Sequence, residues 1–136
     1  MKYLHNILLI ITLLNSTSLL ANELHTKLVG VWKSQPESKD KFTCTFKTDA
    51  SFNLTAVNKI YDLGTDGKYT LKNENNQTHL HLYDLEFFFA RNTHYGGLVE
   101  FLDDNTLKLD LRNAKIDKKV KYPKKFGRNT IIFYRQ

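Results

Sequence analysis

From Val29 onward the chain alternates apolar and polar residues with a period of two, and short turn signals break the alternation at near-regular intervals. A period of two puts every second side chain on one face of a strand. The first strand is read at Val29 to Ser34. The second, Phe42 to Lys47, sets Phe42, Cys44 and Phe46 against Thr43, Thr45 and Lys47. A tight Thr48-Asp49-Ala50 turn leads to the third, with Phe52, Leu54 and Ala56 on one face. Asp66-Gly67 opens the fourth, which carries Tyr69 and Leu71 and ends at the Asn73–Asn76 turn. The fifth places Leu80 and Leu82 opposite His79, His81 and Tyr83, and the sixth, Tyr95 to Leu102, places Val99 and Phe101 opposite Glu100. After Asp103-Asp104-Asn105, Leu107, Leu109 and Leu111 alternate with Lys108, Asp110 and Arg112 in the seventh. The eighth, Asn129 to Arg135, is apolar on both faces, so its facing stays open. No helical period of useful length interrupts this series, although Asn22 to Lys27 reads as a short helix or coil able to plug one end.

Eight antiparallel strands, each with one apolar face, close into a barrel that leaves no free sheet edge. Connections two–three, four–five and six–seven are tight. Connections one–two (Gln35 to Lys41), three–four (around Ile60 to Thr65), five–six (Asp84 to His94) and seven–eight (Asn113 to Gly127) read as long. Alternate connections of an up-and-down barrel lie at the same end, so the long ones gather at one mouth. A two-sheet sandwich is the alternative, but crossovers would not be expected to sort the loops in this way. If Trp32 points inward, alternation also turns inward Ser34, Phe42, Cys44, Phe46, Phe52, Leu54, Tyr69, Leu71, Leu80, Leu82, Val99, Phe101, Leu107, Leu109 and Leu111. Such bulky residues leave room for a narrow cavity near the mouth, or for none.

The first 21 residues need separate treatment. Lys2, the apolar run Ile7 to Leu14 and the small residues up to Ala21 follow the order of a secretory signal peptide, with cleavage expected after Ala21. The apolar run is too short to span a bilayer as a helix. Residues 22–136 then form one domain with a single core. Lys2 is the only charged side chain in the leader, so the net charge falls from +6 to +5 on its removal. Cys44 is the only cysteine, so no disulfide framework is possible within the chain, and an exported protein of this kind must be held by packing alone. Cys44 itself reads as a small buried apolar residue.

The phrase Leu28-Val29-Gly30-Val31-Trp32-Lys33, with its Gly30-x-Trp32 triplet, resembles the opening strand of calycins, the group of lipocalins, fatty-acid-binding proteins and small bacterial lipocalin-like proteins. The resemblance implies that Trp32 sits at the closed end of the barrel and is packed by an arginine near the end of the last strand, for which Arg135 is the matching candidate. The chain departs from the group in lacking a C-terminal helix and a helical lid. The roles carried over to Gly30, Trp32 and Arg135 are structural, and the ligand is left open.

Candidate chemistry is concentrated in the loops. Phe87, Phe88 and Phe89 stand together in the five–six connection, where they either fold over the mouth or continue a bulged strand. The seven–eight connection carries Lys115, Lys118, Lys119, Lys121, Lys124, Lys125 and Arg128 interleaved with Tyr122 and Phe126. It reads either as a solvated face or as a basic collar for an anionic head group, an acidic protein or an anionic envelope surface. Export disfavours nucleic acid as a partner. His79-x-His81 puts two imidazoles on one face, with His94 able to approach, which is a spacing that zinc or copper can use. However, Leu80 and Leu82 claim the interior, so the pair should point to solvent, and no metal or other cofactor is expected. No G-x-S-x-G elbow or paired carboxylate suggests an enzyme. The sequence therefore predicts a secreted or periplasmic protein that binds a small hydrophobic or amphipathic, anionic ligand. Phe87, Phe88, Phe89, Lys118, Lys119, Lys121 and Tyr122 are its candidate binding residues. The alternative is a protein-interaction or inhibitor module with a filled barrel and active mouth loops.

Overall fold

The computed structural model describes residues 19–86 and 92–136. Its strands are β1 (Gly30–Ser34), β2 (Lys41–Phe46), β3 (Ser51–Val57), β4 (Asp62–Glu74), β5 (Gln77–Tyr83), β6 (Thr93–Asp103), β7 (Thr106–Lys115) and β8 (Thr130–Arg135). Each pairs antiparallel with the next, and β8 returns to β1 to close the barrel. The register is the one the alternation demands, because a slip of one residue would turn every apolar side chain to solvent. Trp32 lies opposite Cys44 on one side and Arg135 on the other. Phe46, Phe52, Tyr69, Leu80, Leu82, Val99, Leu107 and Leu109 join Trp32 in the buried core. The open question of β8 is resolved by its pairing: Phe133, opposite Ser34 and Leu107, is buried, while Tyr134 faces out and is 40% exposed.

The tight connections have local causes. Asn75 and Asn76 both adopt positive φ (53° and 59°) between β4 and β5, the backbone of a two-residue hairpin whose twist matches its strands. Asp49 accepts hydrogen bonds from the Ser51 amide and hydroxyl beside Ala50, which has φ 64°. The Asp103 carboxylate accepts from the Asn105 amide and the Thr106 hydroxyl. One connection differs from the sequence reading. The three–four link is short, because β4 begins at Asp62, well before the expected Asp66. The turn is closed by the Asn58 side-chain oxygen, which accepts from the amides of Ile60 and Tyr61. Gly64 breaks the apolar alternation there and disguises the first four residues of the strand as loop.

The closed end is built around Trp32. Residues 19–28 are helical and lie across the base, with Leu28 and Trp32 both fully buried. The indole Nε1 donates to the Leu28 carbonyl at 2.8 Å. The Arg135 guanidinium carbon sits 4.2 Å from the indole ring centre, while its nitrogens donate to the carbonyls of Val29, Lys27 and Asp104. Farther along the helix, His25 stacks on Tyr69 at 5.5 Å, and the Tyr69 hydroxyl donates to the Lys47 carbonyl. Gly30 adopts φ 139°, and a Cβ there would meet Arg135 Nη1 at 2.7 Å. Only glycine leaves room for that guanidinium without strain. The hydrogen bonds and stacking named above involve residues beyond Ala21, whereas Leu19 and Leu20 are 69% and 43% exposed.

Removing the indole should leave a void that this rigid base cannot collapse into. Trp32→Ala is expected to lower stability by about 3–5 kcal/mol. Gly30→Ala should cost about 1–3 kcal/mol through its backbone conformation alone. Urea denaturation of both variants reads these losses, and a wild-type midpoint for Trp32→Ala would contradict the described base.

Candidate binding site

The mouth half of the barrel is not filled. A cavity of about 280 Å³ lies between Phe42 of β2, Leu54 and Ala56 of β3, Leu63 to Thr65 of β4, Leu82 of β5, Leu85 of the loop after β5, Tyr95 of β6 and Leu111 of β7. Below it the barrel is closed by large side chains: Phe52 at the cavity floor, then Phe46 edge-on to Tyr69 at 5.1 Å, then Trp32. No charged side chain lines the cavity among the described residues. The volume is at the small end for ligand pockets, and is about twice that of a dry apolar cavity known to take benzene (~150 Å³). The space therefore suits a ligand of about a dozen carbon atoms. Cys44 lies deeper and offers no nucleophile, since burial pushes its thiol up to about 12.

Alternation had already assigned Phe42, Phe52, Leu54, Leu82 and Leu111 to the interior. It missed the wall formed by Leu63, Gly64 and Thr65, which was read as loop, and it gave no facing for Tyr95. Leu85 turns into the mouth and is 8% exposed, and the Glu86 amide donates to the Asp66 carbonyl, fixing the start of the five–six loop. Phe87, Phe88 and Phe89 lie outside the described residues.

The lysine-rich loop takes a different position from the expected collar. Residues 116–129 fold back as a strap along the outer wall formed by β5, β6 and β7. Lys118 offers its carbonyl to His94 Nε2 at 3.0 Å, and Tyr122 stacks on His79 at 4.5 Å and 6°. Gln77 near the base donates to the Lys124 carbonyl, and Phe126 packs under the Lys108 ammonium. Asp110 anchors the return of the strap. Fully buried on the outer face, it accepts from the Gly127 amide at 2.8 Å and from the Thr130 hydroxyl, with Arg112 3.4 Å away. Lys118, Lys119 and Lys121 are exposed on this wall, and Tyr122 is turned against it. None of the four lines the cavity. The physical reason is that the outer face offers the strap a seat at His79 and Gly96, where Tyr122 stacks on the imidazole and Val120 and Lys121 lie against the glycine.

That cover also changes the histidines. His79 and His81 do face outward, but the strap shields them from the solvent expected at this position, and the His79 side chain is 11% exposed. His81 Nε2 lies 3.0 Å from His94 Nδ1. Because the Lys118 carbonyl can only accept, His94 carries its proton on Nε2 and receives one bond from His81 on Nδ1. His79 turns aside onto Tyr122. Among the described residues, no group of three or more His, Cys, Asp or Glu side chains is arranged to hold a metal ion.

No protein-family model matches the chain, and neither does the sequence of any curated protein. The fold is similar to the crystal structure of pallilysin from Treponema pallidum, with a TM-score of 0.56 over 83% of each chain and 8% sequence identity. At that identity the likeness concerns the barrel and carries no activity across.

The histidine pair makes the strap's wall sensitive to acid. Burial, and then the neighbouring His94, hold His81 below the ordinary imidazole value of 6.5. The folded state therefore binds fewer protons than the unfolded state between that lowered value and 6.5. The resulting stability is complete above pH 6.5 and is lost as pH falls through the lowered value. Wild type should lose stability across this window relative to His81→Gln, as read by urea midpoints at stepped pH. Parallel curves for the two proteins would exclude His81 as the source.

Proposed function

We propose that this protein is an exported, lipocalin-like (calycin) barrel that binds a small hydrophobic or amphipathic ligand in its mouth cavity. The observation that carries the reading is the asymmetry of the interior. One half is packed to the plug by Trp32, Phe46 and Tyr69, and the other keeps about 280 Å³ of apolar space. A core selected for stability alone would close such a void, since each unfilled volume costs contacts on its lining. A ligand of a dozen heavy atoms needs ~0.7 kcal/mol per atom for micromolar binding, within the ~0.3–1.5 kcal/mol that small ligands reach. The Gly30-x-Trp32 triplet with its covering Arg135 supports the calycin assignment. Export through a leader ending at Ala21 is supported by the plug, which uses residues after that point and leaves Leu19 and Leu20 exposed.

The lysines of the strap stand off the cavity wall, so binding should follow the apolar part of the ligand and not its charge. Titrating medium-chain alcohols and the matching acids should give saturable binding of both, rising with length and then stopping at the floor set by Phe52. Ala56→Phe should fill the cavity and abolish binding while the protein stays folded. Absence of saturable binding by wild type, or equal binding by Ala56→Phe, would defeat the proposal.

A further inference from the structure

The strap that leaves the cavity free concentrates the charge of the whole protein. Between residues 116 and 129 stand Lys118, Lys119, Lys121, Lys124, Lys125 and Arg128, all exposed, against the single acid Asp117. This segment alone carries a net charge of +5, and the full chain carries +6. The only ion pair within the strap among the described residues is the exposed Lys118–Asp117 contact at 3.9 Å. The acids of the underlying wall do not neutralise it, because Glu74, Glu100 and Asp110 lie against Lys72, Lys108 and Arg112.

The backbone beneath these charges is fixed at several points: Lys118 to His94, Lys124 to Gln77, and Gly127 to Asp110. Its large apolar groups, Tyr122 and Phe126, are spent on the wall. The exposed face of the strap thus carries an array of point charges on a tethered backbone, with Ile116 exposed at one end and no exposed aromatic side chain. A protein partner is recognised through buried aromatic or arginine hot spots, and single-stranded nucleic acid through exposed stacking platforms. The strap exposes no aromatic side chain, and its one arginine, Arg128, stands among five lysines. Lysine, a flexible and strongly hydrated monopole, suits a diffuse plane of phosphates better than a bidentate contact.

We propose that the strap is a docking surface for an anionic phospholipid bilayer, which holds the barrel side-on while the mouth stays open. A lysine close to such a surface contributes about 1 kcal/mol, or about a fivefold gain in partitioning, and the attraction dies away within a Debye length of about 8 Å at physiological salt. The inference does not depend on whether the cavity is occupied.

The test uses the protein as exported and purified, mixed with phosphatidylcholine vesicles with or without about a third of phosphatidylglycerol, the range in which surface charge controls basic segments. Wild type should co-sediment with the anionic vesicles at low salt, release at high salt, and ignore the neutral ones. Reversing Lys118, Lys119 and Lys121 to glutamate should reduce partitioning by more than about a hundredfold, since removing the three charges alone accounts for that loss. Reversing Lys33, Lys41 and Lys59, which changes net charge equally but sits on β1, β2 and the three–four turn, should reduce it far less. Circular dichroism melts verify that both variants fold. Equal losses in the two triple variants would overturn the proposal, since net charge alone would then explain binding. So would failure of wild type to bind anionic vesicles at low salt, or retention on a soluble anionic polysaccharide with no affinity for lipid.

Discussion

The contact of Arg135 with Trp32 is where this barrel is closed, and the remainder of the fold presupposes it. A sheet of eight strands is a barrel only if the last strand meets the first, and the residue that ends β8 is placed over the side chain that centres β1. The guanidinium is half-buried and offers its donors in a fixed planar fork. It finds three carbonyls belonging to three different pieces of chain: Lys27 in the plug, Val29 before β1, and Asp104 in the β6–β7 hairpin. One side chain thus ties the plug, the seam and a hairpin together in a protein with no disulfide. Gly30 is the condition for it, since any side chain there would occupy the place of the guanidinium.

A base this firmly closed lets the opposite end be open. Packing density in protein interiors is uniform enough that an unfilled region must be braced by its surroundings. Here the bracing is the closed ring of strands above a floor of Phe52, Phe46 and Tyr69. The apolar walls also explain why the lysines are elsewhere: a cation turned into this space would lose its hydration with no counter-charge within reach.

The strands were legible because their alternation is local, and the tight turns because Asn, Asp and Gly declare themselves one residue at a time. The first four residues of β4 are illegible because Gly64 carries no side chain for an alternation to register, although it is a strand residue. The strap was misjudged for a different reason. Its apolar residues Val120, Tyr122, Pro123 and Phe126 follow no period, since they answer to pockets on a wall made by other parts of the chain. Asp110 shows the limit most clearly. In sequence it is the polar member of a Leu109-Asp110-Leu111 alternation and reads as solvent-facing, yet it is fully buried, because a loop 17 residues later returns its Gly127 amide to that carboxylate.

Strand β6 carries the consequences of both faces at once. Gly96 and Gly97 are adjacent: a Cβ on the first would meet the Lys121 backbone carbonyl at 2.5 Å, and one on the second would meet the end of the Leu111 side chain at 2.7 Å. One neighbour belongs to the strap and the other to the cavity wall. At these two positions the strap and the cavity wall are separated by the β6 backbone alone, with main chain against main chain on one side and a leucine of the cavity wall on the other. Close-packed interiors transmit displacement because they have little free volume to absorb it. Glycine at both positions is what brings the cationic surface and the apolar cavity within one strand's thickness of each other.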